Sequence, residues 1–136
     1  MLVHPGGPFW KNKDEHAWSI AKGEYRGDEN PLAAAEREFA EEMGVPAPPG
    51  DRIDLGEIRQ GGGKIVRAWA VEAGDVELEY VASNLFELEW PPRSGTIRQF
   101  PEVDRAEWTT VRLARIRLVK AQVALLDRLI AVAGDR

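Results

Sequence analysis

The chain has no cysteine among its 136 residues. That absence removes disulfide bridges, thiolate nucleophiles and cysteine-ligated zinc from consideration. A cysteine-free chain suits a reducing compartment, so a cytoplasmic protein is the expectation. Histidine is scarce too: His4 and His16 stand alone, at a spacing that offers no metal-binding pair, and neither is assigned a role. No apolar run approaches a membrane span in length, and no membrane partner is expected. The opening residues, Met1-Leu2-Val3-His4-Pro5-Gly6-Gly7, lack both the basic start and the apolar stretch of a secretory signal. Positive charge is outnumbered, with a formal net charge of −5. That balance repels a bare polyanion, so a nucleic-acid partner is not expected. An acidic protein can still hold phosphates when divalent cations stand between its carboxylates and the ligand.

What is present is an ordinary globular composition, 43% hydrophobic and 30% charged, without repeats, heptads or low-complexity tracts. The length suits a single domain over residues 1–136. Leu2-Val3-His4 reads as the end of a strand, Pro5 to Glu15 as a loop, and Ala17 to Ile20 as a short strand. A helix follows from Pro31 to Met43, with Asn30 as its N-cap and Gly44 as its left-handed terminator. Strands are expected over Ile53–Gln60 and Lys64–Glu72, joined by Gly61-Gly62-Gly63. A phosphate-binding loop would need Ser or Thr after Lys64 and then a helix, so the triple glycine reads as a hairpin turn. Asn84–Trp90 and Arg105–Thr110 are the remaining strands, and Trp69 and Trp108 read as core. From Val111 the pattern is helical, with a break near Leu118-Val119 and an apolar stripe of Val119, Val123, Leu126, Leu129 and Ile130. Strands interleaved with one central and one terminal helix predict an α/β/α arrangement.

The chemistry is concentrated in Arg37-Glu38-Phe39-Ala40-Glu41-Glu42-Met43-Gly44. On a helix, Glu38, Glu41 and Glu42 stand at i, i+3 and i+4 and share one face. They span a sector of roughly 100°, beside an apolar stripe of Leu32, Ala35, Phe39 and Met43. Arg37 can pair with Glu41, but one arginine cannot neutralise three carboxylates. A hard divalent cation can, because it takes oxygen ligands from one rigid face.

The surrounding register gives this cluster a context. Gly23 lies six residues before Glu29, and Glu29 eight before Arg37. From Gly23 to Val45 the chain resembles the Nudix box at every defining position: glycine, five residues, glutamate, seven residues, Arg-Glu-hydrophobic, any residue, Glu-Glu, any residue, Gly-hydrophobic. The resemblance implies an α/β/α sandwich with a mixed sheet and the box as a loop–helix–loop on one side of it. It implies a metal-dependent hydrolase that cleaves the phosphoanhydride bond of a nucleoside diphosphate linked to another moiety. A nucleoside triphosphate or a dinucleoside polyphosphate is the expected substrate. Glu38, Glu41 and Glu42 would hold Mg²⁺ or Mn²⁺, helped by a backbone carbonyl at Lys22 or Gly23. Arg37 would orient a metal-binding glutamate, and Glu29 would brace the loop. The alternative is a Nudix-fold nucleotide-binding or regulatory module without turnover. A homodimer is compatible with either.

Outside the box, members of the family recruit a further glutamate, for which Glu87 and Glu89 are the candidates; an exposed strand face explains them equally well. Lys22, Arg67 and Arg93 are candidates for phosphate contacts, and Trp10 for stacking on a base. The segments His-Pro-Gly-Gly-Pro-Phe-Trp, Glu-Trp-Pro-Pro-Arg-Ser-Gly and Glu102-Val103-Asp104-Arg105-Ala106-Glu107-Trp108 are similar to a bacterial group of predicted nucleoside triphosphate pyrophosphohydrolases. Trp18-Ser19-Ile20-Ala21-Lys22-Gly23-Glu24 resembles the lead-in of Nudix enzymes that act on dinucleoside polyphosphates or diphosphoinositol phosphates, though those usually carry proline where this chain has Ala21. Nudix domains ordinarily have a full strand before the Leu-Val-His segment. The first strand is therefore expected to be truncated, either because residues precede Met1 or because the sheet has lost an element.

Overall fold

The helix that carries the acidic face begins and ends where local chemistry dictates. In the computed structural model, which describes residues 1–22, 28–74 and 78–133, α1 spans Pro31–Met43. Asn30 Oδ1 accepts from the N–H groups of Leu32 and Ala33 at 3.0 and 3.1 Å. Two of the helix's free donors are thereby satisfied. Gly44 closes the helix at φ 77°, its N–H donating to the Ala40 carbonyl. A β-carbon there would come within 2.7 Å of the Ala82 backbone. Both the left-handed angle and the close approach therefore call for glycine.

The strands are β1 (Leu2–Pro5), β2 (Ile53–Gln60), β3 (Lys64–Ala70), β4 (Leu85–Glu89), β5 (Ile97–Pro101) and β6 (Val103–Glu107). Among the described residues they form three two-stranded antiparallel sheets, β1–β6, β2–β3 and β4–β5. Two short helices close the chain, α2 (Val111–Arg117) and α3 (Val123–Ala133), with the break where Leu118-Val119 foretold it. A layered α/β build is visible at β1, whose successive side chains point to opposite faces. Leu2 joins Trp18, Ala114, Leu118 and Leu126, whereas Val3 joins Met43 and Val103. The strand is thus covered by α1 on one face and by the C-terminal helices on the other. A third cluster seats Leu125 of α3 on Ile58, Val66 and Ala68 of the β2–β3 hairpin. Full burial of Met43 and Trp18 contributes about 1.5–3 kcal/mol per large side chain.

Some elements differ from the sequence reading, each for a physical reason. Ala17–Ile20 makes only isolated bridges, Val3 to Ser19 (antiparallel) and Trp18 to Leu118 (parallel). The last strand lies at Val103–Glu107 rather than Arg105–Thr110, because Thr110 caps α2, its Oγ1 accepting from the Leu113 N–H at 3.2 Å. Trp108 is consequently 56% exposed and is not core; Trp69 is half-buried. Strand β5 was not anticipated: all its residues are exposed or half-buried, and its pairing is supplied by β4 across a hairpin. The β2–β3 hairpin turns at Gly61–Gly63 as read, and β3 ends at Ala70. Among the described residues no helix is long and apolar enough to cross a membrane.

Candidate functional site

Arg37 is the hub of the acidic face of α1. Its Nε and Nη2 donate to the two oxygens of Glu29, each at 3.0 Å. Its Nη1 donates to Glu38 at 2.8 Å and to both oxygens of Glu41 at 3.2 and 3.3 Å. Glu29 lies just before the N-cap, so eight residues of separation become a forked ion pair, the geometry guanidinium favours. Glu29, then Glu41 and Glu38, raise the arginine's proton affinity still further. One cation thus holds three carboxylates in fixed orientation.

Glu42 is the exception on this face: Arg37 bonds to Glu29, Glu38 and Glu41, and Glu42 turns to the backbone instead. It accepts a hydrogen bond from the Lys22 backbone N–H. Its Oε2 is buried with no hydrogen-bond partner among the described residues. Burial is the main cause that pushes its pKa up to about 8. The Lys22 N–H and ammonium work against that rise, and Glu38 and Glu102 add like charge. A buried, unpartnered carboxylate oxygen costs free energy unless a positive charge meets it.

Glu102 is the carboxylate that the sequence reading missed. It lies between β5 and β6, its N–H donating to the Asn84 carbonyl and its own carbonyl accepting from the Gly6 N–H, both at 2.9 Å. The Asn84 N–H in turn donates to the Glu41 carbonyl at 3.2 Å. This lacing brings Glu102 to the helix. Burial raises its pKa, and the charges of Glu38 and Glu41 raise it more. Alternation could not have found it, because β5 has no alternating pattern and the turn into β6 sets its direction. Glu87 and Glu89 sit instead on the exposed face of β4, opposite Gln99 and Ile97. They lie two and four residues beyond Leu85, about 7 and 13 Å further along the strand.

The remaining candidates scatter. Lys22 lies beside Glu42 as described, whereas Gly23 is outside the described residues. Arg67 donates to Asp54 at 2.6 Å and lies over Trp69, on the β2–β3 hairpin. Arg93 is exposed in the β4–β5 turn at φ 61°. Trp10 is 40% exposed, with the Lys13 ammonium 5.1 Å from its ring centre. Neighbouring Phe9 meets Trp90 edge-on at 5.4 Å. An apolar cavity of ≈ 360 Å³ opens on another side of α1, lined by Leu32, Phe39, Leu55, Trp69, Leu125 and Leu129 among others. None of Glu38, Glu41, Glu42 and Glu102 lines it.

The donor set suits a hard divalent cation: carboxylate oxygens on one helix face, one of them orphaned, and a further carboxylate facing them. Among the described residues, no three acidic or histidine side chains stand close enough to enclose an ion as placed. Glu38 and Glu41 lean on Arg37 instead.

A family model described as NUDIX domain matches residues 2–129. No curated protein and no solved structure matches the chain.

Proposed function

The chain belongs to the Nudix hydrolase family, and from that premise we propose that it is a Mg²⁺- or Mn²⁺-dependent pyrophosphohydrolase of nucleoside triphosphates or dinucleoside polyphosphates. The family in general hydrolyses nucleoside diphosphates linked to another moiety and uses divalent metal ions. The observation that supports the metal dependence is the orphaned Glu42 oxygen, which feels the charges of Glu38 and Glu102, with Arg37 fixing Glu38 and Glu41 beside it on the helix; the choice of substrates rests on the resemblance of the sequence.

In this reading Glu38, Glu41 and Glu42 hold the cation, with the Lys22 carbonyl, and Glu102 takes the part first considered for Glu87 or Glu89. When bound, the cation neutralises the diphosphate and makes water a better nucleophile near neutral pH. Arg37 keeps Glu38 and Glu41 in one orientation, so that little reorganisation is needed as charge develops. One carboxylate among Glu41, Glu42 and Glu102 accepts a proton from the attacking water. The water oxygen bonds to phosphorus, the bridging P–O bond breaks, and its electron pair leaves on the departing phosphate. Lys22 and Arg93 remain the proposed phosphate contacts, and Trp10 the proposed stacking contact with a base. Arg67 is committed to Asp54 and is the weaker candidate.

The test is chromatographic detection of the split products, with pyrophosphate also read, across nucleoside triphosphates, dinucleoside polyphosphates, nucleotide sugars and diphosphoinositol phosphates, with Mg²⁺, with Mn²⁺ and with chelator. Hydrolysis of the first two classes only with metal is the expected result. Nucleotide binding without turnover on the whole panel would identify a binding module instead.

A further inference from the structure

Asp104 is the extra residue of a β-bulge. The β1–β6 register runs Leu2–Glu107, Val3–Ala106, His4–Arg105 and then Pro5–Val103, passing over Asp104. In a regular strand Val103 and Ala106, three apart, would face opposite sides. Here both pack in the cluster of Val3 and Met43. The inserted residue makes that change of phase, the usual way a bulge re-aims a side chain. Glu102, the residue just before β6, is laced to α1 through the backbone: its N–H donates to the Asn84 carbonyl, and the Asn84 N–H donates to the Glu41 carbonyl.

A single side chain clamps this bulge. His4 is fully buried. Its Nδ1 is hydrogen-bonded with the Asp104 carboxylate at 2.9 Å and its Nε2 with the Lys13 carbonyl at 2.7 Å. The ring meets Trp18 edge-on, with centroids 5.0 Å apart. Two residues beyond His4, the Gly6 N–H donates to the Glu102 carbonyl. The side chain of His4 and the backbone of Gly6 therefore grip the two ends of the same short segment, Glu102 to Asp104.

We propose that His4 is a positioning residue for the carboxylate site. By joining the bulged Asp104 to the far end of the Pro5–Lys13 loop, it holds the Glu102–Asp104 segment where backbone hydrogen bonds lace Glu102 to α1. The inference rests on the reading of Glu102 as part of the site. Nothing in it requires His4 to touch substrate or metal.

The test uses His4→Phe, which fills the space without hydrogen bonds, together with Asp104→Ala and Asp104→Asn, of which only the second keeps an acceptor. Amide hydrogen exchange in chelator is the first measurement. His4→Phe and Asp104→Ala are expected to speed exchange at Gly6 and Glu102 by about tenfold or more, with the β2–β3 ladder unchanged. Mn²⁺ binding should weaken about 10–100-fold in both, and kcat should fall while KM stays within about threefold. Asp104→Asn should match the parent in every measurement. Unchanged exchange at Gly6 and Glu102, or acceleration spread evenly over the molecule, overturns the proposal. If His4→Phe does not fold, the two Asp104 variants decide alone, since that side chain is 31% exposed. Local loosening with weaker Mn²⁺ binding, in a parent that hydrolyses nothing on the panel, would remove the proposed reaction and leave the role of His4 standing.

Discussion

Glu42→Gln should make the metal-free protein more stable, not less. In the native state burial pushes the Glu42 pKa up to about 8, while an ordinary glutamate titrates at 4.5. A group whose folded pKa is raised favours folding fully below its unfolded pKa, and that contribution is lost as pH rises through the folded value. The window is therefore 4.5 to about 8. By pH 7, at about 1.4 kcal/mol per pH unit, the native state gives up about 3 kcal/mol relative to acid conditions. Glutamine removes this titration but buries an amide whose N–H groups need acceptors, which returns about 1 kcal/mol. The net expectation is about 2 kcal/mol of added stability near pH 7, or about 6 °C in melting temperature for a chain of this length. The assay is thermal unfolding in chelator at pH 5, 7 and 9, parent against variant. The difference should be near zero or slightly negative at pH 5 and grow to a plateau above pH 8. Added Mg²⁺ should then raise the melting temperature of the parent more than that of the variant, because only the native carboxylate gains from it. A variant less stable than the parent at pH 9 in chelator, or a difference independent of pH, refutes the reasoning.

Other outcomes follow from the same geometry. Glu102→Gln should lower turnover about 10–100-fold, whereas Glu87→Gln and Glu89→Gln should leave it near the parent level; steady-state kinetics on the three variants separates them. Arg37→Lys should lose about 10–100-fold in kcat with little change in melting temperature, because a single ammonium cannot fork to Glu29 and also reach Glu38 and Glu41. Met43→Ala empties a fully buried site and should cost about 2–5 kcal/mol in urea unfolding, with metal activation of the folded fraction retained. Trp10→Ala should raise KM for nucleotides about two- to tenfold and spare kcat, as expected for a stacking contact remote from the bond broken.

Helix α1 was legible in the sequence almost to the residue, because caps, register and the acidic face are all local. Asn30, Pro31 and Gly44 act within a few positions of themselves, and a helix converts spacing directly into a shared face. The break before α3 and the β2–β3 hairpin were readable for the same reason. Strand β5, the true span of β6 and the exposure of Trp108 were not, because a paired edge strand with exposed side chains has no pattern of its own. His4 was equally opaque: its partners, Lys13 and Asp104, are nine and one hundred residues away.

The Gly23–Val45 register, and with it the family and the placement of Glu38, Glu41 and Glu42 on one helix face, was determined by the sequence alone. Helical geometry needs nothing but the order of residues. Which carboxylate joins that face from elsewhere was decided only by tertiary structure. Glu102 is brought toward it by backbone hydrogen bonds through Asn84 to Glu41, and such contacts depend on the folded chain's path rather than on sequence spacing.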